Sequence, residues 1–413
     1  MKNNLNHDNA YKDTINKGFW FRKTNSGELT EKIKKLSEIS KLSSMKSIYE
    51  DILKTEISVS EKTKKIHIGY FCNMVPEEFL IAMDIDYTRL CSSDPESSRS
   101  GEEILPVDVC PLAKSCAGDF LSEMYNKYDL IIMPRTCDTK AKLGEILSFS
   151  RDIYLMDIPH DNDYLVNADN WEKKFVELLD YLVKRYNRKI NYQNLLNACK
   201  ITNERTKAYR DLCDIRGRMP DAISSYDFFF LAYTSFFTPC EKWTQNTRSV
   251  INEILGKKYI NSGKKSILLA GSPIVFPNFK ILDIISELDS VVSADTLCSS
   301  YGRLFDPVVI NEETFSEIIR SLSLKYVSAS MCPCFTGITK QADSIIELVN
   351  KYNINGVIYN NLRLCQVFEM SHPILKIILK EKNIPLLFLK TDLYAEDTGQ
   401  LKTRIEAFLE MLR

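Results

Sequence analysis

The residues with the most chemical potential in this chain are its cysteines. There are twelve in 413 residues, against only four histidines. Because ligands of an open parallel sheet bind beyond the carboxyl ends of its strands, thiols at strand ends are predicted to face a common site. A free cysteine is also a common core residue, but several at strand ends favour a shared role. Five cysteines follow apolar runs typical of β-strands: Cys72, Cys91, Cys137, Cys298 and Cys365.

Three cysteines stand where helices are predicted to begin. Pro111 at the first position of a helical pattern leaves Cys110 as the cap, and Cys137 and Cys365 also precede helical runs. The partial positive charge at a helix amino terminus favours the thiolate, which is the form that binds metals. These three caps on separate helices therefore predict a metal cluster.

The other cysteines separate into candidate ligands and candidate core residues. Cys116 follows Cys110 by six residues, which on a helix turns it by about 120°, so the two thiols are expected to serve different clusters. Cys332 and Cys334 flank a proline in a predicted loop, where one thiol could act as a ligand while the other packs. Three more are predicted to be core residues of a helical segment: Cys199, Cys213 and Cys240.

Several familiar chemistries are excluded by the absence of their motifs. The sequence has no GxxxxGK[ST] loop, GxGxxG, GxSxG or HExxH, so ATP hydrolysis by this chain and histidine-based zinc or triad chemistry are not expected. A cysteine-based zinc site would use paired CxxC knuckles, and none is present. Cubane iron–sulfur clusters accept thiolates from distant parts of a chain, and iron–sulfur chemistry is therefore the favoured interpretation.

The elements that must position these thiols form two similar halves. Short apolar segments alternate with helical patterns, which predicts an α/β fold of two Rossmann-like parallel-sheet lobes. The middle of the chain shows only helical periodicity, and an amphipathic pattern through Leu29, Ile33, Leu36 and Ile39 predicts a helical amino-terminal arm. The predicted boundaries are 1–64 for the arm, 65–165 for the first lobe, 166–260 for the helical connector and 261–413 for the second lobe.

The composition indicates in which compartment the protein works and which classes of partner it does not bind. With 54 basic and 55 acidic residues the net charge is −1, which disfavours binding to nucleic acid or to an anionic membrane. The longest apolar stretch is far shorter than the ~20 residues of a transmembrane helix, and no signal-peptide pattern is seen. We therefore expect a cytoplasmic protein with reduced cysteines.

Six segments in one order resemble the 2-hydroxyacyl-CoA dehydratase and benzoyl-CoA reductase family. The resemblance runs from about residue 66 to the end, through IGYFCNMVPEEFLIAMDI, LPVDVCPLAKS, IIMPRTCDTKAKLGE, ADTLCSSYG, INGVIYNNLRLCQ and DTGQLKTRIEAFLEML. It implies an oxygen-sensitive [4Fe-4S] centre between two lobes, and a separate ATP-hydrolysing activator that injects a low-potential electron. Cys110, Cys137 and Cys365 match the positions that hold a cubane in this family.

The wording CPLAKS and TCDTKAKL, with the additional cysteines, is most similar to the double-cubane branch of the family. That branch implies an [8Fe-9S] cluster held by six thiolates. The candidates for the second set are Cys116, Cys298 and Cys332, with Cys334, Cys72 and Cys91 as reserves.

Three functions follow as hypotheses. The first is a double-cubane reductase of small molecules, expected to be a homodimer that works under anaerobic conditions. The second is one subunit of a heterodimeric 2-hydroxyacyl-CoA dehydratase, which removes water from an acyl-CoA through a ketyl radical. Cys72 and Asn73 stand where some dehydratase subunits have a serine near the substrate, which counts against the second hypothesis for this chain alone. The third is a cluster protein that stores electrons without catalysis.

Overall fold

The computed structural model is an α/β protein with two four-stranded parallel sheets, which confirms the predicted fold class. It describes residues 26–58, 65–122, 124–161, 163–259, 262–312, 314–328 and 332–412. The first sheet has the order β2-β1-β3-β4 and the second has the equivalent order β6-β5-β7-β8. The described residues form eight strands: β1 (His67–Phe71), β2 (Asp86–Leu90), β3 (Leu130–Pro134), β4 (Ile153–Met156), β5 (Lys265–Gly271), β6 (Ser290–Asp295), β7 (Gly356–Leu362) and β8 (Leu386–Thr391).

Helices cover the sheets and connect them. Those before and within the first lobe are α1 (Ser26–Ile39), α2 (Ser43–Ser58), α3 (Glu77–Ala82), α4 (Pro95–Gly101), α5 (Pro111–Leu121) and α6 (Asp138–Ser148). The middle of the chain forms α7 (Tyr164–Tyr186), α8 (Tyr192–Arg218), α9 (Ser225–Thr234) and α10 (Cys240–Leu255). The second lobe contains α11 (Lys280–Glu287), α12 (Tyr301–Leu304), α13 (Phe315–Ser328), α14 (Ile338–Tyr352), α15 (Gln366–Glu381) and α16 (Thr398–Met411).

The central strands explain why the sequence is apolar where it is. Every residue of β3 and of β7 is buried, because helices lie on both faces of each sheet. The apolar run in α9 is also buried almost completely, from Phe228 to Leu231. A helix that is apolar on all sides belongs inside a protein, and α9 lies within the largest hydrophobic core. In the part of the chain that the structure describes, no helix is both long and apolar enough to cross a membrane.

The amino-terminal helices α1 and α2 pack on the body of the molecule. Ile33 and Leu36 join the same core as α8, α9 and α10. Asp227 accepts hydrogen bonds of 3.0 Å from Ser40 Oγ and Tyr49 Oη, where the chain passes between the two helices. Ile39, the last residue of α1, is 57% exposed. Of the predicted arm, residues 1–25 and 59–64 lie outside the described residues.

The carboxyl ends of the two sheets meet. Asn73, just after β1, donates from Nδ2 to the carbonyl oxygens of Cys298 at 3.0 Å and Gly302 at 3.2 Å, both after β6. Ser93, after β2, donates to the carbonyl oxygen of Val275, after β5, at 2.6 Å. These contacts hold the two sets of strand ends against each other, which is the arrangement that brings their cysteines together.

Candidate metal centre

Three cysteines cap helices, as their sequence context predicts. Cys110 is the N-cap of α5, Cys137 the N-cap of α6 and Cys365 the N-cap of α15. Pro111 follows Cys110 at the first helical position, where its missing N–H costs nothing. Each sulfur therefore lies beside backbone N–H groups of the first helical turn and the positive end of a helix dipole.

The thiols of Cys110 and Cys365, from different lobes, lie close enough to change each other's pKa. The pKa of the Cys110 thiol is lowered, first by the hydrogen bond from Cys365 and then by the backbone N–H groups of Ala113 and Leu112. The pKa of Cys365 is raised, because its proton is held between the two sulfurs. The Cys137 sulfur is close enough to affect both members of the pair. All three predicted ligands of a first cubane thus lie together.

Cys137 also meets the loop that contains the last two candidates. The Cys334 thiol lies within hydrogen-bonding reach of both Cys137 and Cys332. The hydrogen bond with Cys334 lowers the pKa of Cys137 to about 6, with further help from the Lys140 ammonium. It also lowers the pKa of Cys332, while the pKa of Cys334 is raised. Both cysteines of this loop are therefore near the first three, and neither is turned away.

A second group of thiols lies beside the first and contacts two cations. Lys140 Nζ donates to Cys72 Sγ at 2.6 Å, and Arg89 Nη2 approaches Cys298 Sγ at 3.9 Å. Burial raises the pKa of Cys298 to about 12 and also raises that of Cys91, although Arg89 opposes both changes. Burial therefore disfavours the thiolates of Cys91 and Cys298, whereas the pKa values of the capping residues Cys110 and Cys137 are lowered.

Cys110 and Cys116 serve different neighbourhoods, as their helical spacing predicts. The sulfur of Cys110 is directed to Cys365, whereas that of Cys116 interacts with Cys91 and Lys140. Cys116 is only 3% exposed, and burial raises its pKa well above the ordinary value.

The three cysteines predicted to be core residues are buried in the helical connector. Cys199 and Cys213 lie within α8, and Cys240 begins α10, where its thiol donates to the carbonyl oxygen of Ile201. The core prediction is confirmed for all three. Nine of the twelve thiols consequently gather in the region between the lobes.

The paired acidic residues after Pro76 belong to a buried network of charges. Helix α3 begins at Glu77, and both Glu77 and Glu78 are at most 3% exposed. Glu77 forms ion pairs with Arg205 of the connector and Arg303 of the second lobe. Glu78 accepts hydrogen bonds of 2.9 Å from both Lys325 and Tyr326. The network joins three parts of the chain at one side of the thiol region.

The sequence reasoning missed the cations, which are the second component of the site. Lys140 follows Cys137 by three residues, one helical turn away, and Arg89 precedes Cys91 by two, on the same side of a strand. Those spacings were the available signal. Arg205, Arg303 and Lys325 pair with the carboxylates of Glu77 and Glu78, whereas the side chains of Lys140 and Arg89 approach sulfur atoms.

The residues fit an iron–sulfur group better than a single metal ion. Within the described ranges, no three Cys, His, Asp or Glu side chains converge as ligands of one ion would. The thiolates of a cubane bind different irons and therefore stand further apart. A thiolate-bound cluster is also anionic, and the excess of buried cations would balance its charge. Capping thiolates, surplus thiols and unmatched cations together suit such a cluster.

Comparison with known proteins shows to which family the chain is similar. Residues 72–412 match the profile of the family described as 2-hydroxyglutaryl-CoA dehydratase, D-component. The Escherichia coli K12 protein YjiM, which is named as a dehydratase subunit, is 24% identical over 353 residues, covering 84% of this chain and 91% of the relative. The (R)-2-hydroxyglutaryl-CoA dehydratase subunit beta of Acidaminococcus fermentans is 21% identical over 368 residues, covering 87% and 96%.

A third relative is the (R)-phenyllactyl-CoA dehydratase beta subunit of Clostridium sporogenes, 19% identical over 370 residues, covering 89% of this chain and 97% of the relative. Acyl-CoA dehydratases are enzymes of the lyase class. The family resemblance read from the sequence is thereby confirmed, and the chain belongs to the enzyme family of 2-hydroxyglutaryl-CoA dehydratase D-components.

Proposed function

We propose that this chain is an iron–sulfur enzyme of the double-cubane type, which accepts electrons from a separate ATP-hydrolysing activator and delivers them to a small molecule. The observation that carries the proposal is the gathering of nine thiols between the lobes. A single [4Fe-4S] cluster takes about four thiolates at most, so nine are more than one cubane uses. The excess supports two cubanes.

The ligand assignment follows the two groups of thiols. Cys110, Cys137 and Cys365 are the proposed ligands of the first cubane, supported by their positions as helix caps. The proposed second set is Cys116, Cys298 and Cys332, with Cys334, Cys72 and Cys91 as reserves. The neighbourhood that Cys116 shares with Cys91, apart from the Cys110–Cys365 pair, supports its place in the second set.

When bound, the iron–sulfur group would supply electron storage and transfer at low potential. The protein's own contribution is to hold the thiolates and to balance their charge. Helix amino termini stabilise the capping thiolates, and Lys140 and Arg89 offset the negative charge of the others. The hydrogen bonds of Asn73 and Ser93 with the second lobe hold the carboxyl ends of the two sheets together. In the proposed function this packing would limit the access of water to the cluster.

A small cavity lies where the two lobes meet. Its volume is about 20 Å³, enough for about one water molecule, and its lining includes Tyr70, Asn73, Arg303 and Lys325. Asn73 also donates a hydrogen bond to the carbonyl oxygen of Cys298.

A separate activator is proposed because the sequence lacks a phosphate-binding loop of its own. We further propose a cytoplasmic homodimer that is active under anaerobic conditions. A cluster enclosed between two lobes is shielded from ordinary soluble donors, so electron entry should require a docked partner.

The second candidate is a subunit of a 2-hydroxyacyl-CoA dehydratase, which would pair with an unlike subunit. It is favoured by the relatives, since the two with named acyl-CoA substrates described above are beta subunits of such enzymes. In this case the substrate would be a 2-hydroxyacyl-CoA, and one [4Fe-4S] cluster would suffice.

Anaerobic purification followed by iron and sulfide analysis tests the proposal. About eight irons per chain, with an EPR signal of coupled clusters after reduction, supports the double cubane, whereas about four returns the dehydratase to first place. The reduced protein is then mixed with small reducible molecules. Turnover supports a reductase, and the absence of turnover with stable reduction would favour a protein that only stores electrons.

The partner is tested by adding a purified ATP-hydrolysing activator of the family with and without ATP. Reduction that requires both supports the proposal. Full reduction by a soluble donor alone would contradict the need for an activator.

A further inference from the structure

Arg89 is held rigidly at the boundary of the two lobes. It lies near the end of the edge strand β2 and is 3% exposed. Its guanidinium stacks on the ring of Phe236 at 4.3 Å from the ring centroid, and its backbone N–H donates to the Phe236 carbonyl oxygen at 2.8 Å. The residue is thus fixed at both its backbone and its side chain, on a platform supplied by the connector.

The charge of Arg89 has no carboxylate partner among the described residues. Its Nε and Nη1 atoms are buried without a hydrogen-bond acceptor, and Nη2 reaches only the Cys298 sulfur at 3.9 Å. Two other buried arginines differ, because Arg205 pairs with Glu77 and Arg216 pairs with Asp295. Burying an unpaired charge costs several kcal/mol, so a guanidinium held in this way implies an anion.

The surroundings indicate which anion this is. Arg89 acts electrostatically on the thiols of Cys91 and Cys298. Tyr70 is the register partner of Arg89 in the β1/β2 pair. Its hydroxyl oxygen already accepts a hydrogen bond of 2.9 Å from Arg303 Nη2. The groups that face the guanidinium are therefore sulfur atoms and not carboxylates.

We propose that Arg89 forms an anion subsite that binds negatively charged sulfur of the iron–sulfur group and raises its reduction potential. The inference rests on the proposed function only in requiring that a cluster is bound between the lobes. N–H···S hydrogen bonds and a nearby positive charge stabilise the reduced cluster more than the oxidised one, because reduction adds negative charge. Arg89 is in this sense a positioning residue, since it acts through the cluster and its ligands.

The test compares midpoint potentials of the purified holoprotein in an anaerobic redox titration followed by EPR. Arg89→Gln removes the charge, and its midpoint potential should become more negative than that of the wild type. Arg89→Lys keeps the charge but loses the stacked fork of N–H donors, so its potential should fall between the two. The matched control is Arg210→Gln, which removes an exposed guanidinium stacked on Phe305 at 4.8 Å, and it should match the wild type.

An Arg89→Gln protein with wild-type iron content and an unchanged potential would overturn the subsite. If that variant does not fold, Arg89→Lys decides alone, and an unchanged potential in it has the same consequence. Loss of iron in Arg89→Gln that Arg89→Lys restores also supports anion binding. The iron content of the wild type tests the proposed function separately. About four irons per chain reject the double cubane but leave the comparison of midpoint potentials valid. A wild type without iron rejects both the proposed function and the Arg89 subsite.

Discussion

The ammonium nitrogen of Lys140 lies 2.6 Å from the sulfur of Cys72. Lys140 is in the first turn of α6, whose N-cap is Cys137, while Cys72 directly follows β1. Burial alone would lower the pKa of Lys140, but the sulfurs of Cys72 and Cys137 outweigh it and raise that pKa well above the ordinary value. One cation therefore links the capping group of thiols to the second group.

Replacing Lys140 by Met should slow the binding of iron by the reduced protein during anaerobic reconstitution. Lys140 helps to hold the pKa of Cys137 at about 6, so at pH 7 the variant would contain less of the thiolate that binds metal. The same change should move the pH at which Cys137 reacts with iodoacetamide upward from about 6 in cluster-free protein, as read by mass spectrometry.

The control is Lys142→Met, on the same helix, where the side chain is exposed and pairs with Glu145 at 2.7 Å. It should reconstitute at the wild-type rate. Equal rates in the two variants would contradict the role given to Lys140.

Alanine at Cys110, Cys137 or Cys365 should each abolish most cluster binding, because each change removes a thiolate at a helix amino terminus. Cys199→Ala and Cys213→Ala serve as controls and should retain iron, since both residues are buried within α8. Iron and sulfide are measured per folded chain after anaerobic purification. Full iron content in all three cap variants would place the cluster elsewhere.

Cys116→Ala should lower the iron content by roughly half if two cubanes are present. The reason is that Cys116 and Cys110 interact with different thiols, so the cubane at Cys110 would remain in place. Iron analysis is combined with EPR of the reduced variant. A wild type with about four irons, unchanged by this substitution, would reject the second cubane.

Glu77→Gln should destabilise the fold by about 3–5 kcal/mol, because it leaves the buried charges of Arg205 and Arg303 without their carboxylate. Burial opposes ionisation of Glu77, but the two guanidiniums outweigh it and lower its pKa. The measurement is the midpoint of denaturant unfolding followed by circular dichroism. Glu103→Gln, at an exposed position, should stay within about 0.5 kcal/mol of the wild type. Similar midpoints for the two variants would refute the network's contribution.

Asp119→Asn should stabilise the protein at pH 7. Burial raises the pKa of Asp119 to about 6, despite hydrogen bonds from Ser97 and Ser92. Between about pH 4 and 6 the folded state holds a proton that the unfolded state has released, so this group's contribution to stability falls as the pH rises through that window. The cost approaches about 3 kcal/mol at pH 7, and the asparagine variant avoids it.

The check on Asp119 is a series of denaturation midpoints from pH 4 to 8. The variant should show a flatter profile than the wild type between about pH 4 and 6. Asp108→Asn, at an exposed position, is the control and should keep the wild-type profile. A variant that is less stable than the wild type at pH 7 would contradict this account.

The sequence by itself determined the elements and the local setting of the cap cysteines. The central strand β3, LIIMP, reads as a short apolar run because helices cover both faces of its sheet. Cys110 is recognisable as a cap because Pro111 follows it. The amino termini of α6 and α15 are likewise predicted from the helical patterns that follow Cys137 and Cys365. These features depend on neighbours along the chain, so a sequence pattern is enough to predict them.

Only the tertiary structure decided which thiols meet and which charges stay buried. Cys110 meets Cys365, and Cys334 meets Cys137, only because the carboxyl ends of two separate sheets are packed together. The spacings of Arg89 and Lys140 place them beside Cys91 and Cys137, but lysine and arginine are almost always exposed, and the partners Phe236 and Cys72 are set only by the tertiary structure. The first contact results from the packing of the connector against β2, and the second from the packing of α6 beside the end of β1. Both depend on the sum of many weak long-range interactions, which no local pattern contains.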